Sequence, residues 1–88
     1  MSFNLLFLNK KNSFPPKGFI EVTEEWWDDK SGLENGKLLI NIDSIITVFR
    51  STNDLGSPRT FIFLKDFDDA VCIKDTYEEV MTKINNSL

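Results

Sequence analysis

The sequence predicts an α+β domain: a strongly bent antiparallel sheet of about five strands with one C-terminal helix packed on it. Three observations carry this expectation. The stretch Leu38–Phe49 (Leu-Leu-Ile-Asn-Ile-Asp-Ser-Ile-Ile-Thr-Val-Phe) is dominated by apolar and mostly β-branched residues, which are stiff at χ1 and suit a pleated, half-buried surface. It is interrupted by Asn41, Asp43 and Ser44, whose side chains bond nearby backbone and favour caps and turns over ladders. At the C-terminal end the apolar spacing changes from alternating to helical.

The totals bound the rest. At 88 residues there is room for one domain and one small core. With 41% hydrophobic and 27% charged residues, the chain is too apolar for disorder. No apolar run approaches the roughly 20 residues of a membrane span. Leu5-Leu6-Phe7-Leu8 has no preceding positive charge and no small-residue cleavage site after it, so a secretory signal is not expected. The single cysteine, Cys72, rules out an internal disulfide and points to a reducing, cytoplasmic setting. The chain has no histidine, which removes the commonest general base and metal ligand.

Net charge is −4, and it is unevenly placed. Residues 1–18 carry Lys10, Lys11 and Lys17 and no acid, which is +3, so residues 19–88 carry −7. An acidic body is a poor match for a phosphate backbone, whose affinity comes largely from Lys and Arg releasing counterions. It is equally poor for an anionic membrane surface.

Residues 1–18 read as an extension or arm, and 19–88 as the single α+β domain. Phe3, Leu5 and Phe7 alternate with Asn4, Leu6 and Leu8, a pattern open to a short strand on a sheet edge or to a frayed terminus. Lys10–Gly18 reads as a linker, because Pro15-Pro16 blocks helix and central strand. Phe19–Trp27 is the first strand, with Ile20 and Val22 on one face. Asp28–Gly36 is a loop in which Asn35-Gly36 is the turn dipeptide, since both residues tolerate positive φ. Two strands follow, about Lys37–Ile42 and Ile45–Arg50, joined by a polar kink or one helical turn. After a polar loop over Ser51–Pro58 comes a strand at Thr60–Lys65, with Ile62 and Leu64 facing one way and Phe61 and Phe63 the other. Ala70–Lys74 returns the chain.

The helix is expected over about Thr76–Asn86. Asp75 is the candidate N-cap, and Glu78 completes a capping-box spacing. Tyr77, Val80, Met81, Ile84 and Leu88 fall on one stripe, with Glu79 and Lys83 an i,i+4 pair off it.

The succession Gly36-Lys37, Ile40-Asn41-Ile42-Asp43-Ser44-Ile45-Ile46, Thr60-x-Ile62-x-Leu64-x-Asp66 and Ile73-Lys74-Asp75-Thr76-Tyr77-Glu78-Glu79-Val80 with Ile84 resembles the small bacterial proteins of the FlbD type. More distantly it is similar to the β-rich LytTR DNA-binding domain. The resemblance covers roughly Phe19 to Ile84. It implies antiparallel strands followed by one helix in a bacterial cytoplasmic protein, and no catalytic residue comes with it. The chain departs from the FlbD pattern in its N-terminal extension, its acidic Trp-Trp region and its Phe67-Asp68-Asp69 turn. For a LytTR-like role only Arg50, Arg59 and Lys65 are candidate basic contacts, and they sit among acids.

The acidic turns do not spell out a metal site. Counted from Asp66, position 5 is Ala70, position 6 is Val71 and position 12 is Tyr77, where a calcium loop needs oxygen, Gly and Glu. Paired carboxylates could serve as acid and base, but so short a chain has little material to wall a cleft. Cys72 reads as a buried small hydrophobe, with no histidine to activate it. No glycine spacing suggests a phosphate loop.

What remains is apolar surface. Adjacent residues on a strand face opposite ways, so Trp26 and Trp27 cannot both enter one core. Phe61 and Phe63 oppose the face that a single helix would cover. The expected function is therefore non-enzymatic: a protein–protein interaction or self-association module, acting as a homo-oligomer or with another bacterial protein. The alternative is a regulatory, LytTR-like nucleic-acid binder. The expected contact residues are Trp26, Trp27, Phe61 and Phe63, with Phe3, Leu5 and Phe7 of the arm. No cofactor, metal or small-molecule substrate is expected.

Overall fold

The computed structural model describes residues 14–52, 56 and 58–88. It contains β1 (Phe19–Asp28), β2 (Gly32–Asn41), a 3₁₀ turn (Ile42–Ser44), β3 (Ile45–Thr52), β4 (Pro58–Leu64), β5 (Val71–Ile73) and α1 (Tyr77–Asn86). The five strands form one antiparallel sheet in the order β2-β1-β5-β4-β3. The α+β expectation holds: one sheet and one C-terminal helix. The sheet is an open one.

Two hairpins make most of it. β1 and β2 pair along their full lengths, from Phe19↔Asn41 to Asp28↔Gly32. β3 and β4 pair from Ile45↔Leu64 to Thr52↔Pro58, with a register shift between Ile45 and Thr47. β5 joins them. It matches Thr60, Phe61 and Ile62 on β4 but reaches β1 only at Glu24↔Ile73. The helix touches both β1 and β3, although β5 and β4 lie between those strands. Strands sit about 4.8 Å apart, so one helix reaches both only because the sheet curls around it.

The core lies inside that curl. Ile20, Val22, Ile40, Ile62, Leu64, Val71, Ile73 and Val80 are buried, with Leu38, Ile42, Ile45, Val48, Met81 and Ile84 packed on them. Every strand except β3 sends in alternate residues, and α1 closes the mouth with Val80, which is fully buried. Burial of each such side chain is worth about 1.5–3 kcal/mol.

Three local expectations need correction. Asn35-Gly36 is not the hairpin turn. The chain reverses earlier, where the Asp28 carboxylate accepts from the Lys30 and Ser31 amides at 2.8 and 3.2 Å and Gly32 supplies φ 87°. Asn35 and Gly36 therefore lie inside β2. The helix N-cap is Thr76, one residue later than expected, and the capping box closes with Glu79 (Thr76 Oγ1 from the Glu79 amide, 3.0 Å; Glu79 Oε1 from the Thr76 amide, 2.8 Å). Lys83 pairs with Asp75 instead of Glu79. The polar break in Leu38–Phe49 is the expected single helical turn, with Asn41 Oδ1 accepting from the Asp43 amide at 2.9 Å.

Where β5 stops, α1 takes over the edge of β1. The Lys74 amide donates to Thr23 O at 2.8 Å, and the Thr23 amide donates to Asp75 Oδ1 at 2.7 Å. Lys83 Nζ donates to Glu21 O at 2.7 Å, and Ser87 Oγ donates to Phe19 O at 2.9 Å. Side chains of the helix region thus do the work of an absent neighbouring strand. Gly18 is tied in as well, its amide donating to Ser87 O at 3.2 Å and its carbonyl accepting from the Ile42 amide at 2.9 Å.

Candidate interaction surface

The register sorts side chains into an inner face, under α1, and an outer face that α1 does not cover. On β3 and β4 the outer face carries Phe49 opposite Phe61, and Phe63 opposite Thr47. The rings stack. Phe49 lies 5.3 Å from Phe61 between centroids and 5.7 Å from Phe63, at interplanar angles of 16° and 28°. Pairs of this kind are worth about 0.5–1.5 kcal/mol beyond their buried area. Phe63 remains 37% exposed, so the stack is only partly removed from water.

Trp27 shares the outer face, at the far end of β1 and opposite Leu33. The two are 69% and 54% exposed. Leu39, opposite Glu21, adds a third exposed apolar side chain on this hairpin. Trp26 points the other way, toward the inner side but beyond the core. Its ring ends 3.3 Å from where a Cβ on Gly36 would sit. The Trp27 ring reaches to 4.0 Å from the same position on Gly32. Each indole therefore lies over a glycine of β2, on opposite sides of the hairpin.

A polar seam separates the two apolar patches of the outer face. Arg59 Nη1 donates to Glu25 Oε1 at 2.7 Å across β5, and Cys72 Sγ lies 3.8 Å from the same nitrogen. Cys72 is half-buried beneath this pair, not enclosed in the core, because its register partner is Phe61 on the outer face. On the inner side Arg50, opposite Thr60, reaches over the Tyr77 ring (5.7 Å) and bonds Glu78 at 2.8 Å.

Of the expected contact residues, Phe61, Phe63 and Trp27 share one face, and Trp26 lies on the other. Phe3, Leu5 and Phe7 lie outside the described residues. Phe49, Leu33 and Leu39 were missed. Pairing Phe49 with Phe61 requires the β3–β4 register, which composition does not carry, but the parity that puts Phe49 opposite to Val48 was readable.

Among the described residues, three carboxylates are held below their usual range, each for a structural reason. Asp28 is lowered by the amides of Lys30 and Ser31. For Asp75 burial pushes upward, and the Lys83 and Thr23 bonds outweigh it. Glu78 is lowered by its own backbone amide, at the start of α1, and by Arg50. All three stay ionised at neutral pH, which suits ion pairing and not proton transfer. Among the described residues there is no cluster of three or more acidic, Cys or His side chains able to hold a metal. Nor is any helix among the described residues long and apolar enough to cross a membrane.

An open groove of about 360 Å3 lies between Phe14, Phe19, Glu21, Lys83 and Asn86. Its ammonium group, on Lys83, is already engaged with Glu21 O and Asp75. Comparison with protein-family models, with curated proteins and with solved structures finds no significant match to this chain.

Proposed function

We propose that this chain is a non-enzymatic self-association module, whose outer sheet face buries its aromatic side chains against a second copy. The observation that carries this reading is the Phe49–Phe61–Phe63 stack on the face that α1 leaves uncovered. Exposed, ordered aromatic clusters mark contact surfaces, and like faces pair readily about a two-fold axis. The engaged state of Lys83, Arg59 and Asp75 supports the non-enzymatic part, since each charged group serves the fold. The resemblance of residues 19–84 to FlbD-type proteins supports a bacterial, cytoplasmic setting without chemistry of its own. The acidic body speaks against the nucleic-acid alternative.

Light scattering on the full chain and on Phe63→Glu tests this. The expected result is a mass twice that of one chain for the wild type. Phe63→Glu should give a single-chain mass at the same concentration, with its circular dichroism unchanged. A single-chain mass for the wild type at every concentration would overturn the proposal, and so would a dimer indifferent to Phe63→Glu.

A further inference from the structure

Among the described residues, no strand pairs with the outer backbone edge of β2. Thr23, Glu21 and Phe19 turn their backbone groups toward β5 and α1, so the even-numbered residues of β1 bond β2. Their partners Glu34, Gly36, Leu38 and Ile40 are thereby used. In an antiparallel pair the alternate residues point away, which leaves Leu33, Asn35, Lys37 and Leu39 presenting backbone groups to an open edge. β2 is the terminal strand of the sheet among the described residues. The opposite edge, β3, is blunted by the irregularity at Ile46. β2 has ten residues and neither a proline nor a bulge.

We infer that residues 3–8 of a second copy add to β2 as an antiparallel strand. This rests on the self-association proposed above and names the element that is exchanged. Two properties of the arm match the edge. The first is apolarity on both faces: Phe3, Leu5 and Phe7 alternate with Leu6 and Leu8, and β2 is flanked by a part-exposed indole on each side, Trp26 inside and Trp27 outside. The second is charge. Lys10 and Lys11 follow the apolar run, and the turn end of the hairpin carries Asp28, Asp29 and Glu34 against one base, Lys30.

Bringing those lysines to that turn sets the direction. The arm must run from the Asn41 end of β2 toward the Gly32 end, antiparallel to it. Pairing Leu6 with Asn35 in that direction sets Lys10 opposite Ser31 and Lys11 opposite Lys30, at the turn that also holds Asp28 and Asp29. The chain's own arm cannot easily do this. Phe14 lines the groove beside Phe19 and Asn86, and Gly18 bonds Ile42, both at the Asn41 end. The far end of β2 is about 30 Å away. Residues 9–13 span at most about 18 Å when fully extended. A second copy meets no such limit, and reciprocal exchange gives a closed two-fold pair.

The test uses full-length chains carrying Cys72→Ser. One population carries Leu6→Cys and the other Asn35→Cys. Mixed under mild oxidation, they should form a disulfide-linked heterodimer, and the double variant should run as a linked dimer on a non-reducing gel. A double variant that closes within one chain would overturn the inference and assign the arm to its own sheet. Absence of any cross-link would also overturn it. As a second measurement, Asn35→Pro removes a free-edge amide without touching the β1–β2 bonds. It should weaken the dimer by about tenfold or more while leaving circular dichroism unchanged. A dimer lost in Phe63→Glu but unaffected in Asn35→Pro would sink the arm exchange and leave the aromatic-face reading standing.

Discussion

Thr23 and Asp75 are 52 residues apart in sequence and meet at 2.7 Å, backbone amide to carboxylate. The contact falls where the β1–β5 ladder ends, so a side chain takes the place of a strand carbonyl. The other carboxylate oxygen receives Lys83 Nζ at 2.8 Å. One aspartate thereby fastens β1, the start of α1 and its middle together.

Asp75→Ala should accordingly destabilise the domain by about 2–3 kcal/mol, because it leaves a part-buried amide and an ammonium group without their acceptor. For a domain of this size that corresponds to a fall in Tm of about 8–24 °C. Thermal unfolding followed by circular dichroism measures it. A fall within about 0.5 kcal/mol would mean that the clasp contributes nothing.

The same carboxylate predicts an acid limb. Its pKa is lowered in the folded state, so the folded state binds the proton less readily than the unfolded chain. The stabilisation is fully present above the ordinary aspartate value of about 4 and is lost as pH falls through the lower folded value. The stability gap between wild type and Asp75→Asn should therefore be constant from neutral pH to about pH 5 and close below about pH 4. Urea titrations across that range give the gap directly; a gap that does not change in acid would refute the assignment.

Two ion pairs of nearly equal length should behave differently. Arg59–Glu25 is 2.7 Å long and its carboxylate side chain is 13% exposed, whereas Arg50–Glu78 is 2.8 Å long with both partners more than half exposed. Arg59→Ala strands a carboxylate that water barely reaches and should cost about 1–3 kcal/mol. Arg50→Ala breaks a pair that solvent already screens and should leave denaturant midpoints unmoved apart from lost packing on Tyr77. Equal effects from the two variants would show that burial is not what separates them.

Gly36 offers a test of the indole above it. An alanine Cβ would lie 3.3 Å from the outer edge of the Trp26 ring, a contact that a small swing of the ring relieves. Gly36→Ala should thus be close to neutral, since strand glycine itself costs about 0.5–1 kcal/mol relative to alanine. Gly36→Val should push the ring into water and red-shift its emission, read in a Trp27→Phe background. Unchanged emission in Gly36→Val would place Trp26 elsewhere.

Much of this fold was legible in alternation alone. Ile20 and Val22, Ile62 and Leu64, and the stripe through Val80 and Ile84 all point where their spacing says, because burial and side-chain period are the same fact seen twice. The errors came where a residue with a strong local preference was claimed by a distant partner. Asp75 has the chemistry of an N-cap, but the Thr23 amide and Lys83 hold it, and Thr76 caps instead. Asn35-Gly36 has the chemistry of a turn, but Asp28 collects the Lys30 and Ser31 amides first and reverses the chain earlier. Gly36 then serves as the floor for Trp26. The aromatic stack was half visible: Phe61 and Phe63 follow from one strand, whereas Phe49 joins them through the pairing of two.

The brevity of β5 has a consequence for synthesis. Each large hairpin is complete in a continuous stretch, Phe19–Asn41 and Ile45–Leu64, and hairpins close within microseconds. Both can therefore form while the chain is still being made. Among the described residues no backbone ladder joins the two directly, and the Arg59–Glu25 pair spans the gap that β5 fills. The three residues of β5, Asp75, and the helix that ends beside Gly18 arrive last. Until Val71–Ser87 has left the ribosome, Val71, Ile73 and Val80 are missing from the core, and the apolar inner faces of both hairpins stay open to water.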